Sequence, residues 1–558
     1  MKRNFIFFKR MSLFLAAALT AAALSACSGT GRENSLPSGK DEAEKKTSEK
    51  ESKSSDYLVS IEDEPDTVDF QCTSVHYTIA QNVFDRLVEM EKDDEGGVNI
   101  LPSLAKSWDI SEGRRCYTFH LRENVTFSNG ETLTSSDVRY TLERLLSHPD
   151  SCNQDIAEMI EGAEKLEKGE ADSLAGFEIL NDQDFSITLT QPFEAFLACM
   201  SMPGASILDA ETTEKAGERF GREPAWTVGT GPFILDKWEP SKGMSLIANK
   251  NCWSGKPSCE GLRLLFMTEA EEAKQMFEEG ELDVLDLDEL GDLAEFFIHG
   301  DIYQDNLREV QPIGITYIAL NESMGPLADQ KVRKALQISL NREALLDAAY
   351  SGRGSVENGI FPHGLYGYNP DLPEIPCDPD EAKKLLEEAG YPDGFDLKVS
   401  VKSSSTQWER NLLTLASNMW EKAGIRAKIE ILDENEFMSL RKSGKLACYT
   451  ATWTADYNDP DNFIYTFFGN KANTSYRSLC YPREEVMKRV RDARAIADPA
   501  ARLEEYRELE KIIVQEDAAW IPLFSRLRYY VVSDRIEGFK ASWNGSVKNN
   551  YRHMSVGK

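Results

Sequence analysis

Residues 448–463 read Cys448-Tyr449-Thr450-Ala451-Thr452-Trp453-Thr454-Ala455-Asp456-Tyr457-Asn458-Asp459-Pro460-Asp461-Asn462-Phe463. The first six have strand composition, and they meet a dense cluster of aromatics and acids that a proline closes. Two readings follow. A strand ending at a domain edge can offer Trp453 as an aromatic wall and Asp456 as an anionic group to a ligand. Alternatively, Trp453 packs in the core and Asp456 opens the next turn, which Asp459-Pro460 helps to make.

Upstream, helix and strand patterns alternate. From about Gln330, Val332, Ala335, Leu336, Ser339 and Leu340 share one helical face, and Asn341 can cap a following helix that stops at Gly352. Asp378 as N-cap, Pro379 at the first helical position and Glu381 punctuate another helix. Ala382, Leu385, Leu386 and Ala389 line its face, and Gly390 and Pro392 end it. The pattern repeats from Gln407 to Ala423, and Lys428-Ile-Glu-Ile-Leu432 then reads as a strand. Such alternation over 330–450 predicts an α/β domain. Nearer the start, the runs from Tyr57 to Ile61 and from Tyr117 to Leu121 alternate as strands, and Asn129-Gly130 marks a turn. Thr134 with Asp137 three residues on reads as a helix N-cap. Val138, Leu142, Leu145 and Leu146 form the buried stripe of that helix, and Tyr140 falls off it.

The chain has 558 residues, with 63 Lys+Arg against 94 Asp+Glu and a formal charge of −31. This length accommodates about three or four domains. The acidic balance argues against nucleic acid, whose phosphates are bound by Lys and Arg. Beyond residue 27 no apolar stretch is long enough to span a bilayer. Residues 1–10 carry Lys2, Arg3, Lys9 and Arg10 without an acid, and residues 11–26 are almost wholly apolar, as in a signal peptide over 1–26. Leu24-Ser25-Ala26-Cys27 resembles the bacterial lipobox, which implies acylation of Cys27. An ordinary secretory leader, or an uncleaved membrane helix with an incidental cysteine, is the alternative. Residues 28–55 hold one Leu and no aromatic, so 27–55 is expected to be a lipidated cysteine with a disordered tether. Nine cysteines follow Cys27, none spaced as CxxC, and their odd number leaves at least one unpaired or bridging to another chain.

Motifs for catalysis are missing. None of the six histidines lies in HExxH or at a paired metal spacing. Gly229-Thr230-Gly231 lacks the third glycine of a dinucleotide fingerprint and reads as a turn. Ser439-Leu-Arg-Lys442 matches SxxK, but the nearby KSG reuses the same Lys442. The expectation is a protein with no enzymatic activity, no cofactor and no metal.

Several stretches resemble the family 5 extracellular solute-binding proteins of ABC importers, which include oligopeptide and dipeptide binders. They are Trp453-x-Ala-Asp456-Tyr-Asn-Asp459-Pro460; Leu104-Ala-x-Ser-Trp108 with Tyr117-Thr-Phe-His-Leu-Arg122 and Phe127-Ser-Asn-Gly130; Val228-Gly-Thr-Gly231-Pro-Phe233 with Asn251-x-Trp253; Val332-Arg-Lys-Ala-Leu336 with Asn341-Arg342; and Ala382-x-x-Leu385-Leu-x-x-Ala-Gly390. Matches run collinearly from about 57 to 545. The resemblance implies an α/β fold of the periplasmic-binding-protein type (type II, cluster C), with two lobes and three domains. Domain I would be discontinuous over 56–84, 186–267 and 521–558, domain II the insertion 85–185, and domain III 268–520. Hinge strands would cross near 265–270 and 518–524. It further implies that Asp456 binds the α-ammonium of an oligopeptide. Trp453 would form a pocket wall, and main chain at Thr452 and Thr454 would pair with the ligand. Tyr140, Thr230 and Gly231 would contact it, and Arg441 would reach a peptide's carboxyl end. A second arginine expected before Trp453 is replaced by Thr450 or a neighbour, and the dipeptide binder's carboxylate-anchoring arginine has no clear counterpart near Ser403–Ser405, which favours longer peptides over strict dipeptides. Partners would be the importer's permease and ATPase subunits, with the membrane reached through the lipid anchor only and the protein a monomer. Nickel complexes, sugars or haem are the family's alternative ligands, and a peptide-pheromone sensor is the alternative role.

Overall fold

The alternating run Tyr57–Ile61 is a strand, flanked in parallel by Gly261–Leu265 on one side and Val284–Asp286 on the other. Around it a seven-stranded sheet forms in the order Leu307–Val310, Arg528–Val532, Val284–Asp286, Tyr57–Ile61, Gly261–Leu265, Gly243–Ala248, Phe233–Glu239. Leu58, Leu262, Leu264, Val284 and Tyr530 are buried against Phe70 and Phe84 in its core. A second sheet of six strands runs Gly354–Val356, Trp520–Arg526, Gly314–Leu320, Cys448–Thr454, Phe395–Lys402, Ile425–Leu432. A third, of four, orders Ala105–Ile110, Cys116–Leu121, Asp184–Thr188, Phe177–Ile179. This computed structural model describes residues 56–73, 76–92, 98–266, 269–544 and 549–557. The expected leader, Cys27 and tether lie outside them. Within them no helix is long and apolar enough to cross a membrane, and the nine cysteines are unpaired.

The helices form where their punctuation says they should. Thr134 and Asp137 make a reciprocal capping box at the start of Ser135–Ser147, which buries Val138, Leu142, Leu145 and Leu146. Asp378 accepts the Glu381 N–H at 2.9 Å, and Pro379–Glu388 runs from it until Gly390 turns left-handed at φ +87°. Thr406 and Glu409 cap Gln407–Lys422, whose Leu412, Leu413, Ala416 and Trp420 are buried against the six-stranded sheet's core.

Strand pairing locates two crossings between the two large sheets. Among the described residues, the chain passes directly from a strand of one to a strand of the other between Val310 and Gly314, and again at Leu527 between Arg526 and Arg528. Gly261–Leu265 is interior to the seven-stranded sheet, and Trp520–Arg526 is interior to the six-stranded one. A strand buried on both faces is continuously apolar whether it spans two lobes or sits inside one, so composition could not separate the cases.

Candidate ligand-binding site

Strand Cys448–Thr454 pairs antiparallel with Gly314–Leu320 along its whole length, but on its other edge only Cys448 meets a partner, Val399. The Ala455 N–H donates to the Ile313 carbonyl at 2.8 Å, which sets the alternation. Odd-numbered residues direct their backbone polar groups at Gly314–Leu320. The N–H and C=O of Thr450, Thr452 and Thr454 therefore point to the open edge. On the side chains the same period splits the faces. Thr452 shares a hydrogen bond with Thr316 (3.0 Å), whereas Trp453 turns to the opposite face, edge-on to Phe467 at 5.4 Å. The Trp453 indole N–H is buried and meets no acceptor among the described residues.

Past the strand end, Asp456 is clamped by one asparagine. Its N–H donates to Asn462 Oδ1 and its Oδ2 accepts from Asn462 Nδ2, both at 3.0 Å. The last part of the chain closes over the same loop. The Asn544 amide donates to the Asp456 carbonyl (3.0 Å), and the Trp543 carbonyl accepts the Ile313 N–H (3.0 Å). Tyr551 N–H meanwhile donates to Asn82 Oδ1 at 3.1 Å, tying the tail to helix Tyr77–Val83.

The three acids of this loop divide their work. Asp459 takes both ends of Arg502 (2.6 and 2.8 Å), and Asp461 pairs with Arg494 (3.1 Å) while accepting from Tyr457 and Tyr506. Asp456 has no cation within ion-pair distance among the described residues. Burial raises its pKa, opposed by the Asn462 hydrogen bond and the positive field of Arg477. The Asp155 pKa is pushed up to about 6, by removal from solvent first and then by the charge of Asp456, against the positive fields of Arg477 and Arg494. The Tyr77 hydroxyl is also raised, by burial and by Asp456. Asp456 also borders a cavity of about 150 Å³ shared with Gln81, Glu89, Ser201 and Trp543.

The other expected site residues disperse. Arg441 lies on helix Glu434–Lys442, its guanidinium 5.7 Å from the Tyr476 ring. Tyr140 is half-buried and packs toward the core of the seven-stranded sheet. Thr230 is fully buried, and its hydroxyl donates to Asp85 at 3.0 Å. Gly231 backs onto helix Tyr77–Val83 so closely that a Cβ would sit 2.6 Å from the Val83 carbonyl carbon and oxygen. Packing against this helix constrains the pair. Thr450 donates its hydroxyl to the Tyr317 carbonyl at 3.0 Å. Arg477, which sequence reading passed over, stands 5.4 Å from the Trp453 ring. Only tertiary folding brings it there. Among the described residues no three His, Cys, Asp or Glu side chains gather as metal ligands.

Residues 99–475 match the bacterial extracellular solute-binding proteins, family 5 middle. The chain is 28% identical over 492 residues to the dipeptide-binding protein of Escherichia coli (strain K12), covering 85% of this chain and 89% of that one. It is 28% identical over 478 residues to heme-binding protein A of Haemophilus influenzae, covering 83% and 85%. Among solved structures, a periplasmic oligopeptide-binding protein from Borrelia burgdorferi superposes with a TM-score of 0.75 at 25% identity, over 90% of this chain and 99% of that one.

Proposed function

Because the chain belongs to the bacterial extracellular solute-binding proteins of family 5, we propose that it is the receptor that captures peptides for an ABC importer, with Asp456 gripping the peptide's free amino terminus. The family binds solutes for importers and is not enzymatic. The observation that carries the peptide reading is Asp456 at the end of an open-edged strand, held by Asn462 and with no cation within ion-pair distance among the described residues. A protonated amine supplies that cation. The open edge at Thr452 and Thr454 supports an extended ligand, since main-chain pairing is indifferent to side-chain sequence. Trp453 supplies the wall. A haem, as in the relative named for it, carries carboxylates and no amine, and so leaves Asp456 unanswered.

The same reading assigns domain I to 56–84, 186–310 and 528–558, domain II to the insertion 85–185 and domain III to 311–527. The supporting observation is the pairing of Val284–Asp286 and Leu307–Val310 within the seven-stranded sheet. Closure then bends the chain at 311–313 and at Leu527, and a ligand that touches both lobes favours the closed form. The protein works outside the cytoplasm as a monomer held to the membrane by acylated Cys27, and it hands its cargo to the permease and ATPase subunits.

Calorimetric titration with peptides that have free or acetylated amino termini tests the anchor. Asp456→Asn should weaken binding of the free-amine peptide at least tenfold, consistent with the ~2–5 kcal/mol lost when one partner of a desolvated pair is removed. Melting of the ligand-free protein should hardly change. Equal affinity for the acetylated peptide would sink the reading.

A further inference from the structure

Cys72 and Cys152 are far apart in sequence, yet the fold brings them to one turn just beyond helix Ser135–Ser147. The Cys152 N–H donates to the Gln71 carbonyl at 2.8 Å. That carbonyl belongs to the peptide unit leading into Cys72, so standard backbone dimensions keep the two Cα atoms no more than about 7 Å apart. A disulfide spans about 4.4–6.8 Å between its Cα atoms. The side chains also turn to the same place. Cys72 Sγ lies 3.5 Å from His148 Nδ1, the Asp150 N–H donates to that same nitrogen at 3.3 Å, and the Cys152 thiol donates to the Asp150 carbonyl at 3.5 Å. Both sulfurs thus rest on the turn 148–150. The backbone around them is stitched without any sulfur bond. Asn153 donates to the Phe70 and Thr73 carbonyls at 2.9 and 2.8 Å and accepts from the Tyr77 hydroxyl at 3.0 Å. Gln71 donates to the Thr141 carbonyl at 2.9 Å, and Arg144 pairs with Asp69. With the two segments held in this way, rotation of the side chains is enough to join the thiols.

We propose that Cys72 and Cys152 form a disulfide once the chain has left the cytoplasm, and that this bond fastens the inserted segment 85–185 to the domain it interrupts. The chain's family is extracellular, and disulfides persist in such compartments. The bond is independent of what the cleft binds. Cys152 is exposed and Cys72 half-buried, which sets the order of events. Burial and the charge of Asp69 push the Cys72 thiol up to about 12, so it does not open the exchange. Cys152 meets the oxidant, a disulfide of a protein or small molecule, and its thiolate displaces one of the oxidant's sulfurs. Cys72 then attacks Cys152 Sγ, gives its proton to His148 Nδ1, and expels the oxidant's second sulfur. The Asp150 N–H aimed at Nδ1 marks that nitrogen as the acceptor. Two cysteine thiols are oxidised, one disulfide is reduced to two thiols, and the two protons end on the released sulfurs. The new bond closes a loop of about 80 residues, and a crosslink restrains the unfolded chain more as its loop lengthens.

The test is peptide mapping of the full chain, exported by its host, recovered without reductant and alkylated under denaturing conditions. Before reduction, Cys72 and Cys152 should resist the alkylating agent and appear in one crosslinked peptide; after it, both should react. Reductant should lower the melting temperature by several degrees. Cys152→Ser should melt like the reduced wild type and fall no further when reductant is added. Both residues alkylated without reduction, or either one joined to another cysteine, overturns the proposal. A melting temperature indifferent to reductant overturns the fastening role. His148→Gln tests the route: oxidation of the reduced protein by glutathione disulfide should slow severalfold and still end in the same crosslink, and an equal rate overturns the proton transfer to His148.

Discussion

Asp456, Asp459 and Asp461 lie within six positions of one another, yet among the described residues only the first has no arginine within ion-pair distance. Asp459 and Asp461 are bound to Arg502 and Arg494. The setting of Asp456 was legible in the sequence, because it is local: a strand, an aromatic and a turn in succession. Arg477 was not legible, because nothing in its own neighbourhood says that Trp453 will lie near it. Asp155 brings a pH dependence. Folded Asp155 keeps its proton up to about pH 6, whereas the unfolded chain releases it near 3.8. Between those values the folded state binds more protons, so this group's stabilising contribution is complete below the lower value and is lost as pH rises through the higher one. Melting temperature of the ligand-free protein should therefore fall from about pH 4 to pH 7, and Asp155→Asn should flatten that part of the profile. An unchanged slope would mean that Asp155 is not held protonated in the folded state.

Elements were readable wherever their ends are marked. Asp378-Pro379 and Gly390, Thr134 and Asp137, and Asn341 each cap or stop a helix where the sequence predicts. Contacts between elements were not readable in this way. The turn Gly229-Thr230-Gly231, expected at the ligand because it stands in a stretch shared with ligand-binding relatives, presses on the end of helix Tyr77–Val83, where a Cβ on Gly231 meets backbone that cannot step aside. Gly231→Ala should thus cost about 1–3 kcal/mol of stability, as overpacking does, and leave the affinity of the remaining folded molecules unchanged. Chemical denaturation paired with titration separates the two effects. A stable variant that binds poorly would return this turn to the ligand.

Across the whole molecule, Arg494 joins elements on either side of the proposed cleft. It pairs with Asp461 beside the six-stranded sheet and reaches Glu158, on the four-stranded side, at 3.3 Å, over the Phe193 ring at 4.3 Å. Removing Arg494 would strand a buried Asp461, so the informative change is Glu158→Gln, which loosens only the cross-lobe half. It should lower peptide affinity severalfold with little change in ligand-free melting, and X-ray scattering should show incomplete compaction at saturating peptide. Full compaction would mean the contact does not favour closure. An α/β domain over 330–450 was foreseeable from alternating helices and strands; where the chain steps between the two large sheets was not, since the step at Leu527 is one residue long and leaves no compositional mark. The tail has a last consequence, for biosynthesis. Residues 543–544 complete the loop that carries Asp456, and Tyr551 fastens the far side. A nascent chain emerging from its N-terminus can pair every strand of both large sheets by Val532 and still lack a finished pocket, and Tyr551 and Met554, buried in the core of the seven-stranded sheet, arrive later still.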